Sequence, residues 1–214
     1  LAAQGFTGYA LGFAEDEDPQ RAKIFYNRAK DYGLKSLKRN KAFKDALNGN
    51  NVDDLTKSLK KMGKPYVPTL FWTANAWGSW INLSRDSPRA IAEMGKVELI
   101  MQRVIELDET YYYGGSHLFF ASFYGGRSKM FGGDPEKAKN HFDRFVELSE
   151  GKFLMGNVLF AKYYAIQMQD RELYKNLLVK VLDTPGDVLA EQRLVNEIAK
   201  IKASKLLKDI EDYF

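Results

Sequence analysis

The sequence contains no cysteine, only two histidines and only six prolines among its 214 residues. Without cysteine, the chain can form neither a disulfide framework nor a thiolate zinc site, and it has no cysteine nucleophile. Its histidines, His117 and His141, belong to no HExxH or comparable ligand motif, so we predict no metal site. The glycine-rich stretch 125–129 lacks the GxxxxGK[ST] order of a phosphate loop. We therefore predict neither a cofactor nor an enzymatic activity.

Long apolar runs are also missing. Asn157 and Lys162 interrupt even the richest apolar stretch, 153–166, which is too short to span a bilayer. The composition, 45% apolar and 28% charged, is that of a folded globular chain rather than a disordered one. The sequence begins at Leu1 inside an amphipathic pattern, so we expect that an N-terminal piece, with any targeting signal, precedes it.

The net charge of +4 is unevenly distributed. Residues 35–64 hold nine basic and three acidic residues, which leaves the rest of the chain slightly acidic. Three interpretations of this basic segment stay open: a solvated helix face, a docking surface for an acidic partner, or a patch for nucleic acid or anionic lipid. Phe43 is its only aromatic residue, which argues against stacking of single-stranded nucleic acid, so we predict no nucleic-acid partner.

The local pattern is helical throughout. The pairs Asp18-Pro19, Ser87-Pro88 and Asp134-Pro135 each place a capping residue before a proline, which is typical of a helix start. Apolar residues recur at spacings of three and four, and no strand alternation occurs. The sequence therefore predicts an all-α fold.

An internal repeat organises these helices. Residues 96–109 align with 137–150 at an offset of 41 residues, with identical residues at five positions. The units resemble tetratricopeptide repeats, whose second helix carries a small, a large and a small apolar residue at fixed spacing. We predict a single domain, 1–214, with repeats near 1–34, 70–110, 111–151 and 152–187 and a capping helix in 188–214. The two middle repeats carry a seven-residue insert between their helices.

Four further blocks carry a more specific resemblance. They are FWTANAWG at 71–78, YGGSHLF at 113–119, MFGGDPEKA at 130–138 and YYAIQMQDREL at 163–173. Together they resemble the T-component (TatT) family of tripartite ATP-independent periplasmic (TRAP) transporters. The resemblance implies a periplasmic lipoprotein with a tetratricopeptide-like superhelix, a homotrimer, a channel-like opening in each protomer and a substrate-binding P-component as partner. The lipid-bearing cysteine of the family is not in this sequence, so membrane association is expected only through a missing N-terminal lipid.

The tetratricopeptide register also predicts which side chains line the concave wall. With His117 and Arg127 added from the same helix, the candidate ligand-binding residues are Trp72, Asn75, Asn82, Tyr113, His117, Phe120, Tyr124, Arg127, Tyr163 and Gln167. An aromatic and amide-rich wall suits an apolar or organic-acid ligand. Three alternatives stay open: the rings are inter-helix packing, Arg127 pairs with an acidic neighbour rather than a ligand, and His117 is structural. A peptide-binding tetratricopeptide adaptor is the alternative function.

Overall fold

The computed structural model describes all 214 residues and contains helices and turns but no strand. The predicted all-α fold is confirmed. The chain forms two compact units, Leu1–Tyr111 and Tyr112–Phe214.

The first unit is built around the long helices α2 and α5. Its helices are α1 (Ala2–Tyr9, continued by a π-helical turn, Ala10–Ala14), α2 (Pro19–Leu37), α3 (Lys41–Gly49), α4 (Val52–Lys60), α5 (Val67–Asn82), α6 (Pro88–Ala92) and α7 (Met94–Asp108). Helix α2 packs directly against α1 and α5, and α5 packs against α7. The short pair α3 and α4 joins this stack through α4, which packs against α7. The basic segment therefore forms a helix pair that does not separate α2 from α5.

The second unit begins within α8 and ends with a covering helix. Its helices are α8 (Tyr111–Gly125, of which Tyr112 onward belongs to this unit), α9 (Pro135–Leu148), α10 (Met155–Phe160, continued by a π-helical turn, Ala161–Ala165), α11 (Arg171–Asp183) and α12 (Arg193–Lys208). Helix α12 packs against α10 and α11 and buries Asn196, Ala199 and Ala203.

The predicted helix starts are confirmed at all three proline sites. The Asp18 carboxylate accepts a hydrogen bond from the Arg21 amide at 3.0 Å, and the Asp134 carboxylate accepts one from the Lys137 amide at 3.1 Å. The Ser87 hydroxyl accepts one from the Ala90 amide at 3.4 Å. In each case the proline occupies the first helical position, where no amide hydrogen is needed.

The 41-residue offset relates the buried face of α7 in the first unit to the buried face of α9 in the second. The apolar residues that the offset pairs are all buried: Val97 with Ala138, Met101 with Phe142, and Val104 with Phe145. The offset also pairs two ion pairs, Arg103–Glu106 at 2.8 Å and Arg144–Glu147 at 2.7 Å. Residues 83–93, which include α6, connect α5 to α7, and residues 126–134 connect α8 to α9.

In the basic segment, most apolar side chains are buried and the charged ones face the solvent. Phe43, Leu55 and Met62 are buried, whereas most lysines of α3 and α4 are exposed. The Arg103 guanidinium of α7 donates to the Met62 carbonyl at 2.9 Å and to the Lys60 carbonyl at 3.1 Å. These bonds satisfy carbonyls at the C-terminal end of α4 and attach it to α7.

The start of α8 departs from right-handed helical geometry. Tyr112, Tyr113 and Gly114 have φ values of 50°, 59° and 75°, a left-handed run that costs a residue with a side chain roughly 1–2 kcal/mol. The Phe153 ring packs against both tyrosines, at 5.6 Å from Tyr112 and 5.7 Å from Tyr113. The predicted register assumes that Tyr113 and Phe120 share one face of a regular helix. The left-handed run at Tyr112–Gly114 interrupts that helix, so the spacing alone does not place Tyr113 on the face of Phe120.

Candidate functional site

In the first unit, the candidate residues form one half-buried stripe along α5. Trp72, Asn75 and Asn82 are each partly exposed, whereas most of the intervening side chains are buried. Spacings of three and seven residues place these three side chains on one side of the helix. The Asn82 side-chain oxygen accepts a hydrogen bond from Arg85 Nε at 2.9 Å. The stripe combines one indole with two amides, so it can contact the apolar part of a ligand and hydrogen-bond its polar group.

An aromatic cluster positions Trp72. The Phe71 ring contacts Trp72 edge-on at 5.0 Å and Tyr111 at 5.2 Å. Trp72 also hydrogen-bonds the Tyr111 hydroxyl. Burial raises the pKa of Tyr111 above its ordinary value, against the opposing effect of this hydrogen bond, so the phenol is neutral at physiological pH. The cluster is thus an uncharged, amphipathic surface.

In the second unit, two histidines from neighbouring helices meet. His117 of α8 is buried, and its Nδ1 lies 2.9 Å from Nδ1 of His141 on α9. At this distance one Nδ1 carries a hydrogen and the other presents its lone pair. The His141 ring also stacks on Phe120 at 5.0 Å and on Tyr124 at 6.0 Å. The sequence provides both histidines but no signal that they are partners.

The surroundings of His141 favour its neutral form. Burial, with smaller contributions from the nearby His117 and Lys137, lowers the pKa of His141 to about 4. The ring is therefore an uncharged member of the aromatic cluster at neutral pH. No group of three or more histidine, aspartate or glutamate side chains in the chain could hold a metal ion.

The candidate residues of α8 divide into core and surface. Phe120 is only 1% exposed, so its ring is packed inside the unit. Tyr124 is half-buried, stacks on Phe120 at 5.6 Å and lies 5.4 Å from the Lys137 ammonium. Tyr113 is half-buried against Phe153. Of these aromatic rings, only those of the two tyrosines are available to a ligand without rearrangement of the core.

Arg127 is positioned by the end of α8. Its guanidinium donates to the Phe123 carbonyl and stacks over the Phe123 ring at 4.0 Å. These contacts satisfy a carbonyl of the last helical turn and add a cation–π interaction. Pairing of Arg127 with a ligand carboxylate or with an acidic neighbour stays a prediction.

The remaining candidates follow α10. Tyr163 is half-buried in the π-helical turn, and Gln167 is exposed beyond it. The chain directly after α8 approaches this turn closely, since a Cβ on Gly126 would lie 3.2 Å from Tyr163 Cδ1. The sequence carries no signal for the stack that supports this segment, in which the centroid of the Phe160 ring lies 3.9 Å from that of Phe142 and 4.4 Å from that of Tyr164.

Together, the helix pairs and the half-buried tyrosine, tryptophan and asparagine side chains define an all-α protein whose surfaces suit binding. The family model for the TRAP transporter T-component matches residues 1–214, and the chain belongs to this family. It is therefore an accessory component of TRAP transporters, a family role that is generally non-enzymatic. No match to a curated protein was found.

Family membership also bears on location. The T-component family is consistent with a periplasmic, membrane-associated protein. None of the helices in the chain combines the length and the apolar character needed to cross a membrane.

Proposed function

We propose that this T-component docks a periplasmic substrate-binding protein, the P-component, and offers an aromatic-lined passage to an apolar or organic-acid ligand. The observation that carries the proposal is the family match over residues 1–214, which includes every candidate residue. The proposal includes a tetratricopeptide-like superhelix, a homotrimer and an N-terminal lipid anchor, as the family resemblance implies.

The half-buried polar rings support the ligand part of the proposal. Trp72 in the first unit and Tyr124 and Tyr163 in the second each combine an apolar ring with a hydrogen-bonding group at partial exposure. Such side chains bind the body of an amphipathic ligand by contact area and orient its polar end. Because neutral rings do not offset the cost of burying a charge, the carboxylate of an organic acid must stay hydrated or accept hydrogen bonds from these side chains.

Docking is tested by sedimentation velocity with a TRAP substrate-binding protein from the same organism. Because an accessory complex of standard interface size forms at micromolar concentration or below, association is expected at roughly 10 µM. An absence of association at about tenfold higher concentration would overturn the docking proposal.

Ligand binding is tested separately with octanoate, an amphipathic organic acid, by calorimetric titration. W72A and Y163A probe the two units independently, and each is expected to weaken octanoate binding without changing P-component docking. Y32A is the matched control, because Tyr32 is a 50% exposed aromatic residue of α2 that lies outside the candidate set. Unchanged octanoate affinity in both W72A and Y163A would rule out the proposed aromatic lining.

A further inference from the structure

The connection between α8 and α9 presents two large apolar side chains to solvent. We call residues 126–134 the Met130–Phe131 loop, after the side chains that are 86% and 62% exposed. Large apolar side chains scattered singly on a surface need no explanation, but two adjacent ones at the tip of a loop form a candidate contact. Burying each of these side chains fully at an interface would contribute roughly 1.5–3 kcal/mol to the binding free energy.

The loop has a defined backbone conformation. The Phe131 amide donates to the Ser128 carbonyl at 2.9 Å, and the Gly133 amide donates to the same carbonyl at 3.0 Å. Gly132 has a φ of 81°, and a Cβ on Gly133 would lie 1.9 Å from the Arg127 carbonyl oxygen. Two adjacent positions therefore accept only glycine without distortion, and they hold Met130 and Phe131 at the tip.

Both ends of the loop are attached to helices. At its start, Arg127 donates to the Phe123 carbonyl of α8. At its end, the Asp134 amide donates to the Tyr124 carbonyl at 3.1 Å, while the Asp134 carboxylate caps α9. A loop tied at both ends loses little conformational entropy when a partner binds it.

The charge of the loop selects the chemistry of its partner. The loop contains Arg127 and Lys129 and one acidic residue, Asp134, whose carboxylate caps α9 at the end of the loop, so the tip around Met130 and Phe131 carries only positive charge. Lys129 is exposed beside the two apolar side chains. The complementary surface is therefore an apolar pocket with carboxylates at its rim.

We propose that the Met130–Phe131 loop is a docking element that inserts Met130 and Phe131 into an acidic-rimmed apolar pocket of the P-component. This inference rests on the proposed function and names the surface that performs it. A protein pocket is favoured over a lipid surface because two apolar side chains and one exposed lysine supply too little apolar area and charge for stable membrane binding. A methionine and a phenylalanine, by contrast, suffice as central anchors of a protein interface.

The test compares three variants in calorimetric titration with the same P-component. M130S/F131S is expected to weaken the affinity at least roughly tenfold, because both anchors are lost. K129E is expected to weaken it less and to reduce its dependence on salt concentration. L194S/I201S is the matched control, since Leu194 and Ile201 are 69% and 71% exposed on α12 of the same unit, and its affinity is expected to be unchanged.

The outcomes separate this inference from the proposed function. If the unmodified chain binds and M130S/F131S binds equally well, the loop is not the docking element, while the proposed function stands. If the unmodified chain does not bind, both fail. Sedimentation with anionic phospholipid vesicles gives a second readout: vesicle binding that M130S/F131S abolishes, with P-component affinity unchanged, would also overturn the inference.

Discussion

His117 and His141 face each other across α8 and α9 with their Nδ1 atoms 2.9 Å apart. Only one hydrogen fits between two nitrogens at this distance, so the pair accommodates two neutral rings and disfavours an additional proton. The same pair lies on the Phe120 and Tyr124 rings, which makes it part of the packing between the two helices.

This pair predicts a loss of stability in mild acid. Because burial, together with His117 and Lys137, lowers the pKa of His141 from 6.5 to about 4, the unfolded state binds the proton more readily than the folded state. The free energy of unfolding should therefore be fully retained above about pH 6.5 and fall as the pH approaches 4. Denaturant unfolding at a series of pH values measures this. H141F, which keeps a stacked ring but cannot titrate, should show a shallower pH dependence, and an equal slope would contradict the assignment.

Close packing at Gly156 predicts that even one added methyl group is destabilising. A Cβ at this position on α10 would lie 2.0 Å from Phe145 Cε1, a buried atom of α9. We expect G156A to lower the free energy of unfolding by about 1–3 kcal/mol, because the core must shift to admit the methyl group. Gly95 in α7 is the control, since nothing lies within 4 Å of its added Cβ. G95A should be stabilising by about 0.5–1 kcal/mol, and equal effects of the two substitutions would refute the packing argument.

The buried Asn196 side chain links α12 to two turns by hydrogen bonds, which leads to a prediction for stability. Its side-chain oxygen accepts from the Leu154 amide at 3.0 Å, and its nitrogen donates to the Lys152 carbonyl at 3.0 Å and the Gly186 carbonyl at 3.2 Å. We expect N196A to cost at least about 2 kcal/mol, because buried backbone groups lose their partner. The thermal midpoint measures it. N176A, at an exposed position of α11, should change stability by less than about 0.5 kcal/mol.

The buried hydrogen bond between Tyr26 and Glu15 leads to a further prediction. The Tyr26 hydroxyl donates to Glu15 Oε2 at 2.5 Å, and both residues are buried. Y26F removes the donor while keeping the ring, so it should destabilise the chain by about 1–3 kcal/mol, because the buried carboxylate loses a hydrogen bond. Y32F removes the hydroxyl of a half-exposed tyrosine on the same helix and should have little effect. If Y26F unfolds at the same denaturant concentration as the unmodified chain, the bond contributes nothing to stability.

The helical framework was predictable because its signals are local. An aspartate before a proline sets a helix start through bonds within one turn, as at Asp18 and Asp134. The spacing of small and large apolar residues predicts the buried face of a helix. The 41-residue offset then predicts that the equivalents of Val97, Met101 and Val104 are also buried, and Ala138, Phe142 and Phe145 are. The half-buried stripe on α5 followed from the same periodicity.

The candidate site was only partly predictable, because exposure depends on what packs against a helix from elsewhere in the chain. Phe120 and Tyr124 lie one turn apart on α8, yet Phe120 is buried and Tyr124 is half-buried. No sequence pattern predicts the left-handed conformation of Tyr112 and Tyr113. Both rings pack against Phe153, which lies about forty residues further along the chain.

The sequence by itself therefore determined the class of fold, the helix starts, the repeat offset and the family, all of which rest on residues close together in the chain or on spacings that recur along it. The tertiary structure alone decided that His117 pairs with His141, that Arg127 closes the end of α8, and that Met130 and Phe131 face the solvent. These outcomes depend on contacts between segments, whose free energies are not encoded in any local periodicity.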